Sequence, residues 1–517
     1  MIDRIGKNVG AQLISLAVSF VDRIILVGVL LRSWGADAFS DWSVLLSTAG
    51  LLSLGELGLN IYYGNALEKA RSGGESPGMK RIVSVALAVS FLVALFLGAT
   101  GLLLLSFWDL PRLLEVGTFQ HREAEIVLAI LGGVTLSRLS RGAISQIYRG
   151  HGQFALGIIV DLGASIASLI FVFSAVLAGA GPVIAACLYF AGDILGGWGL
   201  MLFDLKRRWP DLRFVPELPS RAEFADITRK VKWLAIQQGA PVAWLQMPIV
   251  MLGYFGVAGP QLVSFITQRT LVNFSRTLGS FMALGSGVEI AALRHSGKHV
   301  EIERYLTATG RILSVMAAGI AVGLFTFGKP LISVWTGHPD LFDPGIAAAL
   351  LASAVLSAPI APLAAHLMYS NAPRPASVSL IVQLVLGLGM SALLIPRYGA
   401  LGAAVSLGAA EAIAQAVVLP IAGNKQLGVN YWRYGAQCSF AMLCAGLWCW
   451  AVARLALILF DAGSWTGLLF MGVFWLAAGF APSLVLVIPG RYRVLLKERA
   501  QLAVAGKPRL PKFASKL

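Results

Sequence analysis

A helical, apolar pattern repeats almost without interruption from Ala11 to Pro489. A bilayer core about 30 Å thick takes roughly 20 apolar residues of helix to cross. The chain supplies such runs repeatedly, separated by short basic or Gly/Pro-marked breaks, and therefore reads as an all-α polytopic membrane protein. Composition agrees: 57% of residues are hydrophobic, 13% are charged and the mean hydropathy is +0.76. The spacing predicts about 14 transmembrane helices. Their approximate positions are 10–31, 42–65, 82–106, 125–148, 154–178, 182–203, 232–256, 260–288, 306–328, 345–370, 376–395, 401–423, 434–460 and 465–489.

The net charge of +15 resides mainly in loops rather than in a compact nucleic-acid-binding face. With both termini cytoplasmic, 30 of the 41 Lys and Arg residues fall on that side and five, Arg32, Arg112, Arg122, Lys329 and Arg397, on the other. The positive-inside rule predicts this orientation. The first apolar run contains Asp22 and Arg23 and leads directly into a second, so it reads as a retained helix rather than a cleaved signal. Cys187, Cys438, Cys444 and Cys449 show no paired CxxC spacing; core packing is their expected role, with no metal site or cofactor indicated. No Walker A, HExxH or strand-embedded GxSxG pattern points to an enzyme.

The chain divides into an N-terminal six-helix lobe (1–205), a polar cytoplasmic linker (206–231) and a second six-helix lobe (232–425). Two additional helices (426–489) and a basic cytoplasmic tail (490–517) follow. Trp34-Gly35 and Leu57-Gly58 in the first lobe recur as Phe255-Gly256 and Leu278-Gly279, each at an offset of 221 residues. Six helices per lobe return the second to the orientation of the first, as in transporters built from parallel repeats.

Charge inside the bilayer is costly, roughly 2.5 to 3.5 kcal/mol per residue on insertion scales, so intramembrane ionisable groups mark protein interiors or aqueous paths. Arg269, Asn273 and Arg276 follow i, i+4, i+7 spacing on the eighth helix and share a face. Guanidinium groups suit an oxyanion because their donors engage two oxygens at once. Arg138 and Arg141 on the fourth helix form a second cationic pair. These five residues are the candidate binding set, with snorkelling or structural ion pairing as the alternative. Asp22 and Arg23 on the first helix, Glu56 and Asn60 on the second and Asp161 on the fifth are candidates for ion coupling, gating or neutralisation of a buried arginine. Asp193 and Glu411 read as packing near an arginine or a helix end, and His366 as a satisfied core residue rather than a proton carrier.

The twelve-plus-two helix plan, the segment Leu51-Leu52-Ser53-Leu54-Gly55-Glu56-Leu57-Gly58-Leu59-Asn60 and the basic linker resemble the Wzx-type polysaccharide flippases. Those belong to the multidrug, oligosaccharidyl-lipid and polysaccharide (MOP) exporter superfamily. The resemblance implies alternating access, with helices 1, 2, 7 and 8 lining a central cavity. Its implied cargo is an undecaprenyl-diphosphate-linked oligosaccharide, moved to the outer leaflet of a bacterial inner membrane for O-antigen, capsule or exopolysaccharide assembly. Membrane lipids, H+ or Na+, and the polymerase and chain-length proteins of the same pathway are the implied partners, with no nucleic acid. A cation-coupled multidrug antiporter is the main alternative, and a membrane-embedded polymerase or ligase a more distant one.

Overall fold

The computed structural model describes residues 2–72, 76–210, 215–295, 299–369, 373–427 and 429–488. The basic tail expected at 490–517 lies outside the described residues, as does the side chain of Asp22. Among the described residues there is no strand, and the elements run α1 (Ile2–Gly50), a 3-10 segment (Leu51–Glu56), α2 (Leu59–Ser72), α3 (Ser76–Phe107), the single turn α4 (Leu110–Leu113) and α5 (His121–Gly150). Next come α6 (Phe154–Leu177), α7 (Pro182–Asp193), a π-helical turn (Ile194–Gly199), α8 (Leu200–Arg208), α9 (Arg221–Tyr254), α10 (Gly259–His295) and α11 (His299–Thr336). The remainder comprises α12 (Pro344–Ser357), α13 (Ala361–Tyr369), α14 (Pro373–Ile413), α15 (Leu419–Leu427), α16 (Tyr431–Leu459), α17 (Trp465–Trp475) and α18 (Ala481–Val487).

Ten stretches among the described residues are long and apolar enough to span a bilayer. Gly10–Arg71 and Arg374–Gly423 each contain two of the expected spans, and the expected seventh and eighth spans fall on α9 and α10. The protein is therefore an all-α, multi-pass membrane protein. α10 carries Gln268, Arg269, Asn273 and Arg276 within its length.

Two of the long helices are bent where glycine permits it. Gly35 interrupts α1 at φ 83°, ψ 173°, and Gly399 interrupts α14 at φ 55°, ψ −132°. Both conformations are closed to residues with a Cβ except at the cost of strain. Gly256, the counterpart of Gly35 in the internal offset, is also left-handed at φ 72°. The second pair of landmarks diverges: Leu57 and Gly58 form a left-handed break at φ 50° and 75°, whereas Leu278-Gly279 runs through α10 as helix. The expected span 42–65 is thus two helices joined by a 3-10 segment.

The chain forms two compact units. The first contains Met1–Phe274, Ile332–Leu350 and Pro373–Ala414; the second contains Ser275–Leu331, Leu351–Ala372 and the chain from Gln415. In the first unit, Leu67, Val83, Leu87, Ile144, Ile147, Tyr148, Met201 and Leu205 make one buried cluster. A neighbouring cluster joins Leu59, Tyr63, Val85 and Ala86 to Ile227 and Val231 at the start of α9. α6 and α7 approach closely through glycine: a Cβ on Gly192 would lie 2.5 Å from Ser168 Cα, and one on Gly196 would collide with the Gly163 carbonyl. Small residues four apart allow such backbone contact between membrane helices. In the second unit, Ile290, Leu306, Leu363, Leu367, Leu419 and Tyr434 form one core, and Cys449, Val452, Ala453 and Trp475 another. Cys438 and Cys449 are buried, but Cys187 and Cys444 are exposed, so core packing does not account for all four cysteines.

Candidate functional site

A cavity of about 470 Å³ opens within the first unit, walled by both halves of α1, the 3-10 segment, the start of α2, α5, α7, α9 and α10. Six of the residues singled out from sequence line it: Arg23, Glu56, Asn60, Arg138, Arg269 and Asn273. Three arginines and one carboxylate line it among the described residues; Asp193 behind the wall neutralises Arg138, which leaves Arg23 and Arg269 beside Glu56. Hydroxyl and amide groups from Ser43, Ser47, Ser53, Thr135, Thr270 and Gln246 share the wall with the aromatic rings of Phe39, Trp42 and Tyr189.

Arg269 is 4% exposed and directs Nη1 to the Leu245 carbonyl at 2.8 Å and Nη2 to the Trp244 carbonyl. The second acceptor follows from sequence. Pro248 lies inside α9 four residues after Trp244, and proline has no N–H to close that turn. The carbonyl that Pro248 leaves without a helical donor is the one Arg269 bonds. Its guanidinium also sits 5.5 Å from the centroid of the Phe265 ring, within cation–π range.

Glu56 ends the 3-10 segment, four residues before Asn60 at the start of α2, and both line the cavity. Gly142 on α5 makes room for Asn60, since a Cβ there would collide with Asn60 Nδ2. Gly50 does the same for Gln246, which lies 2.8 Å from the position a Cβ would take.

Arg138 and Arg141 occupy different environments despite their i, i+3 spacing. Arg138 lines the cavity with its side chain 40% exposed. It donates from Nε to Asp193 Oδ1 at 2.8 Å and from Nη2 to the Tyr189 hydroxyl at 3.0 Å. Arg141 stands behind the wall, 5% exposed, donating to Asp193 Oδ2 at 2.8 Å and to Asp161 Oδ1 at 3.0 Å. Asp193 is fully buried and also accepts from the Ser137 hydroxyl, itself hydrogen-bonded by Trp198 Nε1. Two guanidinium groups and two carboxylates leave this cluster neutral, which is the condition for burying it at tolerable cost. Arg141 and Asp161 are thus brought together as an ion pair rather than as cavity lining. Arg276 belongs to the second unit, where its Nη2 donates to Ser353 Oγ at 2.7 Å.

Sequence reasoning gave Asp193 packing near an arginine or a helix end, and it lies against two arginines at the end of α7, but it passed over Tyr189 and Gln246. The turn immediately after Asp193 is π-helical, a local departure frequent at functional sites. The glycines Gly196, Gly197 and Gly199 were its available sequence signal: a Cβ on Gly197 would collide with the Arg141 guanidinium. A second cavity, about 550 Å³, lies within the second unit among Arg311, Gln437, Phe440, Cys444, Trp448 and Leu486.

No family model and no curated protein matches the sequence. Solved structures do match in fold. The lipid II flippase MurJ, in an inward closed conformation, superposes with a TM-score of 0.71 at 12% identity, over 94% of this chain and 98% of that one. An inward-facing multidrug resistance MATE family transporter of the MOP superfamily superposes with a TM-score of 0.64 at 15% identity, over 82% of this chain and 95% of that one. At these identities the likeness establishes the fold, and the fold is one that MOP-superfamily transporters adopt.

Proposed function

We propose that the protein is a flippase for a polyprenyl-diphosphate-linked oligosaccharide, of the Wzx kind within the MOP superfamily. Cargo passes from the cytoplasmic to the outer leaflet of a bacterial inner membrane. The observation that carries this reading is the cavity wall, lined among the described residues by Arg23, Arg138 and Arg269 with one carboxylate, Glu56. A diphosphate is a multivalent anion that such a wall attracts, and hydroxyl, amide and aromatic groups beside it suit a sugar. The cargo tail stays in lipid while the headgroup occupies the cavity. The lobes 1–205 and 232–425 alternate access around it, with the carboxyl of Glu56 or Asp22 tied to a driving proton or sodium ion. The likeness to MurJ, a flippase of a lipid, supports this reading and extends over more of this chain than the likeness to the multidrug transporter. Delivery to O-antigen, capsule or exopolysaccharide polymerisation is the biological role that follows.

The antiporter reading has its own support in that second likeness and in the Glu56 carboxyl at the cavity. The two are separated in proteoliposomes. Movement of a fluorescent undecaprenyl-diphosphate saccharide by wild type, reduced at least about tenfold in Arg23→Ala, supports the flippase. Cation-coupled dye efflux without movement of the saccharide lipid supports the antiporter and overturns the flippase.

A further inference from the structure

We propose that Asp193 and Tyr189 are positioning residues that hold Arg138 as the diphosphate contact of the cavity. The inference rests on the flippase reading and adds to it a division of labour between two neighbouring arginines.

The geometry of the guanidinium carries it. Arg138 Nε is held by Asp193 Oδ1 at 2.8 Å, and Nη2 by the Tyr189 hydroxyl at 3.0 Å. Its Nη1 has no hydrogen-bond partner among the described residues, and the side chain keeps 40% of its surface open on the cavity. The Tyr189 ring adds a second hold, 5.2 Å from the guanidinium carbon to the centroid. The two holds fix both the position and the plane of the fork, leaving one terminal nitrogen, and the second hydrogen of Nη2, to meet an anion. A planar fork fixed in advance loses less side-chain freedom when it binds phosphate oxygens.

Arg141 makes this arrangement possible. Asp193 offers its two oxygens to different arginines, Oδ1 to Arg138 and Oδ2 to Arg141 with Ser137. Asp161 takes the Nε of Arg141 at 3.0 Å, completing a neutral set of two cations and two anions. Arg141 is buried within that set and turned away from cargo, whereas Arg138 is attached through one edge only. A bound diphosphate therefore adds acceptors to its shell without breaking the bond to Asp193.

The test is binding of farnesyl diphosphate, with farnesyl monophosphate and farnesol as comparators, to purified full-length protein in detergent. Wild type should prefer the diphosphate. Tyr189→Phe deletes one hydroxyl and should weaken diphosphate binding roughly three- to tenfold while leaving farnesol unaffected. In an Arg138→Ala background the same substitution should change nothing further, because its effect travels through Arg138. Asp193→Asn should weaken binding by about tenfold or more. If it fails to fold, the Tyr189 and Arg138 cycle carries the test alone. Additive losses in that cycle, or wild-type affinity in Tyr189→Phe, overturn the positioning role and leave the flippase reading standing. Wild-type protein that binds farnesol as tightly as the diphosphate overturns both.

Discussion

Arg141 directs Nε to Asp161 and Nη1 to Asp193 while remaining 5% exposed, so its charge is neutralised where water does not reach. Removing one member of such a set leaves a buried partner uncompensated. Arg141→Ala should therefore cost about 3–5 kcal/mol, read as a lowered midpoint in thermal unfolding in detergent, and Arg138→Ala distinctly less because that side chain is 40% exposed. A gentler probe is Gly197→Ala, whose new methyl would press on the Arg141 guanidinium; a loss of roughly 1–3 kcal/mol is expected from displacing a packed group. Outside the spans, Glu223 accepts from Arg81 and the Ser220 backbone N–H, which hold its carboxyl down at about 2, and Lys230 and Arg229 hold Asp226 at about 2. Both values lie below those of an unfolded chain, so the stabilisation is complete above pH of about 4.5 and disappears as pH falls toward 2. The difference in melting midpoint between wild type and Glu223→Gln should shrink over that window and stay constant above it. At this scale the sequence made Arg23, Glu56, Asn60, Arg138, Arg269 and Asn273 legible as polar residues at bilayer depth. It suggested an arginine near Asp193 but could not say which, because helical spacing orders residues along one helix and says nothing of a guanidinium 52 or 55 positions away on another.

Helix boundaries followed from hydropathy wherever glycine or proline marked them, and the turn at Trp34-Gly35 is the clearest instance. Gly35 adopts φ 83°, ψ 173° with nothing within 4 Å of the place a Cβ would occupy. Gly35→Ala should accordingly lose about 1–3 kcal/mol through backbone conformation alone, without any clash. Gly279 has equally open surroundings but sits in regular helix, so Gly279→Ala should be neutral or stabilising by up to about 1 kcal/mol. Thermal unfolding of the two variants side by side checks the contrast. The break after Leu51 was invisible by the same reasoning, since Leu51–Gly58 is as apolar as a continuous span. What sets it apart is the backbone geometry of two consecutive residues. Pro248 was visible as a proline within a span, yet its consequence, a carbonyl released to Arg269, depends on which helix packs beside it.

Across the whole molecule, the distribution of basic residues predicts both termini on the cytoplasmic side. Reporter fusions should show a fluorescent C-terminal green fluorescent protein, and active alkaline phosphatase when inserted between 107 and 124. The all-α, many-span architecture was legible because a bilayer admits few alternatives. The full lining of the cavity was not, since a cavity is assembled from residues distant in sequence: Tyr189, Gln246 and Trp42 come together on three different helices. The seam at Leu57 and Gly58 has a further consequence for how the membrane is sealed. An unbroken helix hides every amide of its span from water, but here the ladder is interrupted beside Glu56, a residue of the cavity wall. Leu57 holds a left-handed conformation that costs a residue with a Cβ about 1–2 kcal/mol. The helical ladder is broken here, so deuterium should enter the amides around this seam before those of the continuous helices α3 and α5.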